Sequence, residues 1–242
     1  PPLLPPPPPS ADPSTNPLFL EAQNQIPSNS DTTRPAEFAT VLAPFVAEAF
    51  AQGIEGSHAD IAPMAIQPLS EEMILISGGA ARNQIFLLPR EGGTVRDPLA
   101  ILPYPIFDLA LDNNGNLWAT TGGGPLLQLD RASGQILQEY ADGLTLTLAV
   151  HPDTGEIYVS SGNGIEIFNP DTETFTHYSN LRVGNLAFAS DGALWATSWP
   201  DRGDVIRFNE DDNPQLMLGL ETPADSIAFG KSETSLQNLL FI

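Results

Sequence analysis

Cysteine is absent from the chain. Disulfides, thiolate metal sites and cysteine nucleophiles are thereby excluded, while the redox compartment stays open, because many exported bacterial proteins also avoid cysteine. Positive charge is the second scarcity: nine Lys and Arg stand against thirty Asp and Glu, a formal charge of −21. Phosphate backbones and anionic lipid surfaces would be repelled, so no nucleic-acid partner is expected. No apolar run approaches the roughly 20 residues of a membrane span, and no basic-then-apolar leader is present, so direct membrane insertion is not expected. The first residue is Pro1 rather than Met, which suggests a processed protein or part of a longer one, with any export signal outside these residues. Gly122-Gly123-Gly124 lacks the Lys and Ser/Thr that complete a phosphate loop and reads as a flexible connection.

A hydrophobic content of 41% over 242 residues is enough for a substantial core. Residues 1–35 do not share in it. They hold Pro1, Pro2, the run Pro5 to Pro9, Pro13, Pro17 and Pro27 among Ser, Thr, Asn and Asp. Such a composition cannot bury enough apolar surface to offset its ordering entropy, and the proline run favours polyproline II. An extended linker or arm is predicted over 1–35. Phe38, Val41, Leu42, Phe45, Val46 and Phe50 then recur at spacings of three and four, a helical period that Pro44 interrupts. A short helical segment is predicted over 36–44.

From residue 45 to 242 the chain repeats. Met64-Ala65-Ile66, Leu109-Ala110-Leu111, Leu148-Ala149-Val150, Leu186-Ala187-Phe188 and Ile227-Ala228-Phe229 place their central alanines 45, 39, 38 and 41 residues apart. In each of the first four units a polar turn follows, then an apolar strand at 73–76, 117–119, 157–159 or 194–196. A third strand follows at 85–88, 126–129, 165–168 or 205–208, and a weaker fourth closes the unit. Four short strands per roughly 40 residues mark a propeller blade. The strands read as continuous apolar runs, which fits sheets covered on both faces. The predicted fold is all-β, a β-propeller of four-stranded antiparallel blades over 45–242, preceded by the proline-rich arm and the short helix.

Leu109-Ala110-Leu111-Asp112-Asn113-Asn114-Gly115-Asn116-Leu117-Trp118-Ala119-Thr120 and Leu186-Ala187-Phe188-Ala189-Ser190-Asp191-Gly192-Ala193-Leu194-Trp195-Ala196-Thr197 resemble blades of the NHL-repeat, virginiamycin B lyase-like and gluconolactonase-like group. That group includes enzymes, adhesins and scaffolds. Its lyase members imply a magnesium-assisted elimination with a histidine base. The positions after the two Trp-Ala-Thr strands here hold Thr121-Gly122-Gly123-Gly124 and Ser198-Trp199, without the acidic and histidine residues that the resemblance implies. Its lactonase members imply a divalent cation held by inner-strand carboxylates and asparagines, whereas the repeat starts here are mostly Leu, Ala and Met.

The chain shows a last strand near 48–52, four units and two strands of another, ending at Leu239-Leu240-Phe241-Ile242. The propeller is expected to be incomplete at its C-terminal side. Its open blade edge would then meet a protein partner or further polypeptide of the same protein. The strand near Phe50 is expected to pair with a C-terminal blade and close the ring.

Propeller sites usually lie where connections reach the inner strand and where the second strand leads to the third. On that face fall His58, Asp60, Asp108, Asp225, Arg82, Asn83 and the loop of Trp199, Asp201 and Arg202. The binding candidates are His58, Asp60, Asp108, Trp199, Asp201, Arg202 and Asp225. No catalytic or metal-ligating residue is assigned. Trp199 breaks the repeat and is the best aromatic anchor, whereas Trp118 and Trp195 recur at one blade position and should pack between blades. Asp112-Asn113-Asn114-Gly115-Asn116 lacks the downstream bidentate acid of a calcium loop and reads as a hairpin turn. His151 and His177 read as structural, and Glu210-Asp211-Asp212 as a solvated turn. The expectation is a non-catalytic binding or assembly module of an exported, cell-surface or periplasmic protein, without a cofactor. The alternative is a hydrolase or lyase that depends on a divalent cation, Ca or Mg, with its site completed beyond Ile242.

Overall fold

The computed structural model describes residues 17–29, 33–34, 36, 40–58, 64–141, 143, 146–209, 212–230, 234 and 236–242. The proline run at Pro5 to Pro9 lies outside the described residues. Within the predicted arm, Pro17–Ala22 form a short helix, α1. The residues described in 36–44 are not helical. Leu42 bridges Pro27, Ser28 donates its backbone N–H to Val41 and Ala43 donates to Ile26, so these backbone groups pair across the arm instead of along a helix.

After a short strand β1 (Ala51–Gln52) the chain lays down successive sheets. Blade 1 comprises β2 (Ile66–Pro68), β3 (Met73–Gly78), β4 (Gln84–Pro89) and, after the separate strand β5 (Gly93–Thr94), β6 (Ala100–Ile101). Blade 2 is β7 (Asp108–Leu111), β8 (Leu117–Thr120), β9 (Leu126–Leu129) and β10 (Ile136–Tyr140). Blade 3 is β11 (Leu148–Val150), β12 (Ile157–Ser161), β13 (Gly164–Asn169) and β14 (Thr174–Ser179). Blade 4 is β15 (Leu186–Phe188), β16 (Leu194–Thr197), β17 (Asp204–Phe208) and β18 (Pro214–Gly219). A fifth sheet has two described strands, β19 (Ala228–Phe229) and β20 (Leu240–Phe241). The register repeats with the sequence: Leu109 faces Ala119, Leu148 faces Val159, and Leu186 faces Ala196.

The core lies between blades. Leu75 and Ile85 of blade 1 pack with Leu109, Ala119 and Leu127 of blade 2. Trp118 and Leu126 pack with Leu148, Ile157, Val159 and Phe168 of blade 3. Ala149 and Ile165 pack with Leu186, Ala196, Ile206 and Phe208 of blade 4. Adjacent residues such as Leu126 and Leu127 therefore serve opposite neighbours, and this is why the strands read as continuous apolar runs.

The strand near Phe50 does not pair with a C-terminal blade. β1 runs parallel to β5, with Ala51 opposite Gly93, and Phe50, Ala51 and Ile54 cover Ile76, Phe86 and Leu88 on the outer face of blade 1. The outer apolar face of blade 1 is buried this way by residues 50–54. Gly92, at φ +73°, is required at the join: a Cβ there would collide with the carbonyl oxygen of Phe50.

The hairpin turn of blade 2 is organised by Asp112. Its carboxylate accepts the backbone N–H groups of Asn114 and Asn116, the Asn116 amide, and the Trp118 indole N–H at 3.0 Å. Blade 4 has the same turn, in which Ala189 takes the place of Asp112, and the buried Trp195 indole nitrogen has no hydrogen-bond partner. Trp195 packs edge-on against Phe229 of the fifth sheet at 5.8 Å. Trp118→Ala is expected to cost about 3–5 kcal/mol, and Trp195→Ala less, since its residue is only half-buried. Ala189→Asp, by restoring the acceptor, should add about 1 kcal/mol. Urea denaturation measures all three; a Trp118→Ala loss below about 1 kcal/mol would contradict the inter-blade packing.

Candidate functional site

Connections from each outermost strand to the next innermost strand share one face with the connections between second and third strands; we term this the loop face. The innermost strands β2, β7, β11, β15 and β19 surround a channel of about 700 Å³. Its walls include Ala65, Leu148, Ala149, Leu186, Ala187 and Ile227.

At the loop-face mouth the residue preceding each of the last four of the five triplets is polar: Asp108, Thr147, Asn185 and Ser226. Three of these are joined across blades. The Thr147 hydroxyl donates to Asp108 Oδ2 at 2.6 Å, as does the Leu148 N–H at 3.0 Å, while the Leu109 N–H donates to Oδ1. Asn185 Nδ2 donates to the Thr147 hydroxyl at 3.4 Å, and Asn185 Oδ1 accepts from the Ile227 N–H at 3.3 Å. The ladder thus ties blade 2 to the fifth sheet. A second row stands behind it, the fully buried hydroxyls of Ser77, Thr120, Ser160 and Thr197 at the ends of the second strands. Ser77 donates to Ile106 O and Thr120 to Leu146 O, each reaching the connection that leads into the next blade. Burial holds the Asp108 carboxyl above its ordinary value of 3.8, against the opposing hydrogen bonds from Thr147, Leu148 and Leu109.

Of the sequence candidates, Asp108 lies at the channel mouth. Trp199, Asp201 and Arg202 stand on the β16–β17 connection of the same face. Trp199 is 38% exposed, and with Asp201, Leu146, Arg182 and Val183 it lines a recess of about 200 Å³. Gly184 lets it settle: a Cβ there would stand 2.7 Å from the Trp199 Cβ. Arg202 is drawn to Asp204, with Nε 3.1 Å from Oδ2. His58 and Asp225 are exposed and line neither recess, and Asp60 lies outside the described residues. Thr147 and Asn185 were not among the candidates, although the polar position before four of the five triplets was visible in the repeat. On the outer strands, His177 Nδ1 lies 3.0 Å from Glu166, whose hydrogen bond holds the imidazole above its ordinary range.

The mouth does not match a divalent-cation site. One carboxylate ringed by three N–H and O–H donors is not the set of several oxygen ligands that calcium takes. Among the described residues no three or more His, Asp or Glu side chains converge.

No family model matches the chain, and no curated protein matches it in sequence. Solved structures share its fold. Virginiamycin B lyase from Staphylococcus aureus superposes with a TM-score of 0.56 at 20% identity, over 75% of this chain and 64% of that one. U3-55K gives 0.56 at 15% identity, over 73% and 57%. The extracellular domain of a one component system from B. thetaiotaomicron gives 0.52 at 11% identity, over 71% and 25%. The chain is a β-propeller of four-stranded antiparallel blades. It spans less than two thirds of the length of each of these proteins, and at such identities what is shared is the fold.

Asp108→Asn is expected to lower stability by about 1–3 kcal/mol, because an amide cannot accept from all three donors. The loss has a defined pH dependence. With its carboxyl held above 3.8 in the fold, Asp108 contributes most below about pH 4 and progressively less as pH rises through the folded value. Urea titrations of both proteins between about pH 3.5 and 7 should show the gap narrowing; a widening gap would reverse the assignment.

Proposed function

We propose that the chain is a non-catalytic binding and assembly module of an exported or cell-surface protein, with the loop face as its binding surface. The observation that carries this reading is the Asp108–Thr147–Asn185 ladder. Asp108 accepts from the Thr147 hydroxyl and from the Leu148 and Leu109 N–H groups, and Asn185 bonds both Thr147 and Ile227, so these polar groups are engaged in tying neighbouring blades together. What the ladder builds is a polar rim at the mouth of the channel, with Trp199 beside it as an exposed aromatic anchor. The likeness to an extracellular domain supports an exported setting, and no described helix is long and apolar enough to cross a membrane.

The competing reading is a lyase or hydrolase, favoured by the fold shared with virginiamycin B lyase. The two are separated by incubating the purified chain with virginiamycin B, and separately with a lactone, in the presence of magnesium. The binding reading expects no turnover above that of Asp108→Asn; turnover that this variant abolishes would replace it with the enzyme reading.

The assembly half of the proposal rests on the fifth sheet, where Phe241 and Ile242 are exposed at 43% and 55% on β20 and beside it, a strand that pairs only with β19 among the described strands. A protein partner, or further polypeptide of the same protein, adds strands there. The 242-residue chain on its own is therefore expected to dimerise or aggregate through this edge. Light scattering reads the outcome: a stable monomer at high concentration would remove the assembly role.

A further inference from the structure

The recess beside Trp199 is built from loop-face connections of blades 3 and 4. Leu146 leads into blade 3, Arg182 and Val183 lead into blade 4, and Trp199, Pro200 and Asp201 form the tip of the β16–β17 connection. Ser198 holds that tip closed. Its carbonyl accepts the N–H groups of Asp201 at 3.0 Å and Arg202 at 3.1 Å, its own N–H donates to Asp204 O at 3.0 Å, and its hydroxyl accepts the Asp204 N–H at 2.9 Å. The backbone of the tip is thereby fixed, while among the described residues no aromatic ring packs on the Trp199 indole. Leu146, Val183, Trp199 and Pro200 give the recess an apolar lining.

Two opposite charges line this same space without meeting. Arg182 and Asp201 are both exposed, and among the described residues no ion pair or side-chain hydrogen bond engages either one. The chain has nine basic residues for thirty acidic ones, and elsewhere its arginines find carboxylates. Arg90, Arg202 and Arg207 stand 2.9, 3.1 and 3.2 Å from Glu71, Asp204 and Asp191. Arg182 stays open even with Asp201 on the wall of the same recess of about 200 Å³.

An open guanidinium takes a carboxylate through paired charge-assisted hydrogen bonds, and an open carboxylate takes an ammonium. An α-amino acid carries both groups on one carbon and satisfies both side chains at once. Having no net charge, it is not repelled by the −21 of the protein, as a plain anion would be. Its side chain displaces water from the apolar lining. The volume lies below the range of drug-sized pockets and equals the share of roughly seven water molecules, which limits the ligand to about one amino acid.

We propose that this recess binds a free, apolar α-amino acid of about leucine's size, its carboxylate on Arg182, its ammonium on Asp201 and its side chain against Trp199. This assignment rests on the loop face being the binding surface and names a ligand class for it. The test titrates the full chain by calorimetry with L-leucine, with N-acetyl-leucine, which lacks the ammonium, and with leucinamide, which lacks the carboxylate. Leucine should saturate the protein below about 5 mM and bind at least about tenfold more tightly than either derivative. Arg182→Gln should weaken leucine several-fold and leave leucinamide unchanged, and Asp201→Asn should weaken leucine and leave N-acetyl-leucine unchanged. Both side chains are exposed and unengaged, so the variants keep the fold. No saturation by leucine at about 5 mM, or leucine binding that neither variant moves, overturns the proposal. A derivative that binds as tightly as leucine also overturns it, assigning the recess to the end of a peptide and leaving the loop face a binding surface. Turnover of virginiamycin B would instead remove the loop-face reading itself, so the two failures are told apart.

Discussion

A sheet that is apolar on both faces has to be covered on both faces, and each blade of this protein is such a sheet. Alternate side chains along one strand serve different neighbours, as Leu126 and Leu127 do, so blades are stable only in a stack. The ends of the stack face the same demand. At the first blade it is met by Phe50, Ala51 and Ile54, which lie over Ile76, Phe86 and Leu88. At the last complete blade it is met by Phe229 against Trp195. Covering that face places β1 beside β5, in a two-stranded sheet of their own next to the first blade.

Packing alone would let sheets slide on one another, because apolar contact is not directional. Directional ties stand at both ends of the strands. On the loop face they are the Asp108–Thr147–Asn185 ladder and the buried hydroxyls behind it. On the opposite face Asn113 donates to Pro152 O at 2.9 Å, Arg131 donates to Leu69 O, and Ser190 donates to Asn238 at 3.0 Å, each reaching the next blade. In a low-dielectric setting such bonds are strong when satisfied and expensive when broken. The channel rim is accordingly held by contacts made between blades, and its geometry is a property of the stack.

Individual character arises where the repeat is broken. Ala189 in place of the blade 2 aspartate leaves the Trp195 indole without an acceptor. Trp199 extends a connection that its neighbours keep short or glycine-rich. Each departure is a local change of one side chain, with an effect set by what the adjoining blade places opposite.

The blades were legible from the residues alone because a four-stranded unit repeats its apolar runs and its Asn/Gly turns locally. The triplets at 109–111, 148–150 and 186–188 lie on innermost strands, and their register is the one the repeat implies. The role of Trp118 was legible for the same reason. The helical expectation over 36–44 did not hold at its described residues 36 and 40–44, since the backbone of 41–43 found partners near residues 26–28, and a spacing pattern carries no information about such a distant competitor. The candidate site was half legible. Asp108 could be placed at the channel mouth from its position in the repeat, but its binding to Thr147 joins residues in different blades. The packing of His151 and Tyr158 on Phe188 joins blades 3 and 4 in the same way. Periodicity along the chain therefore determined the blade and its internal register, while the docking of one blade on the next decided which polar groups are engaged and where space remains, because those contacts depend on side chains a whole repeat apart.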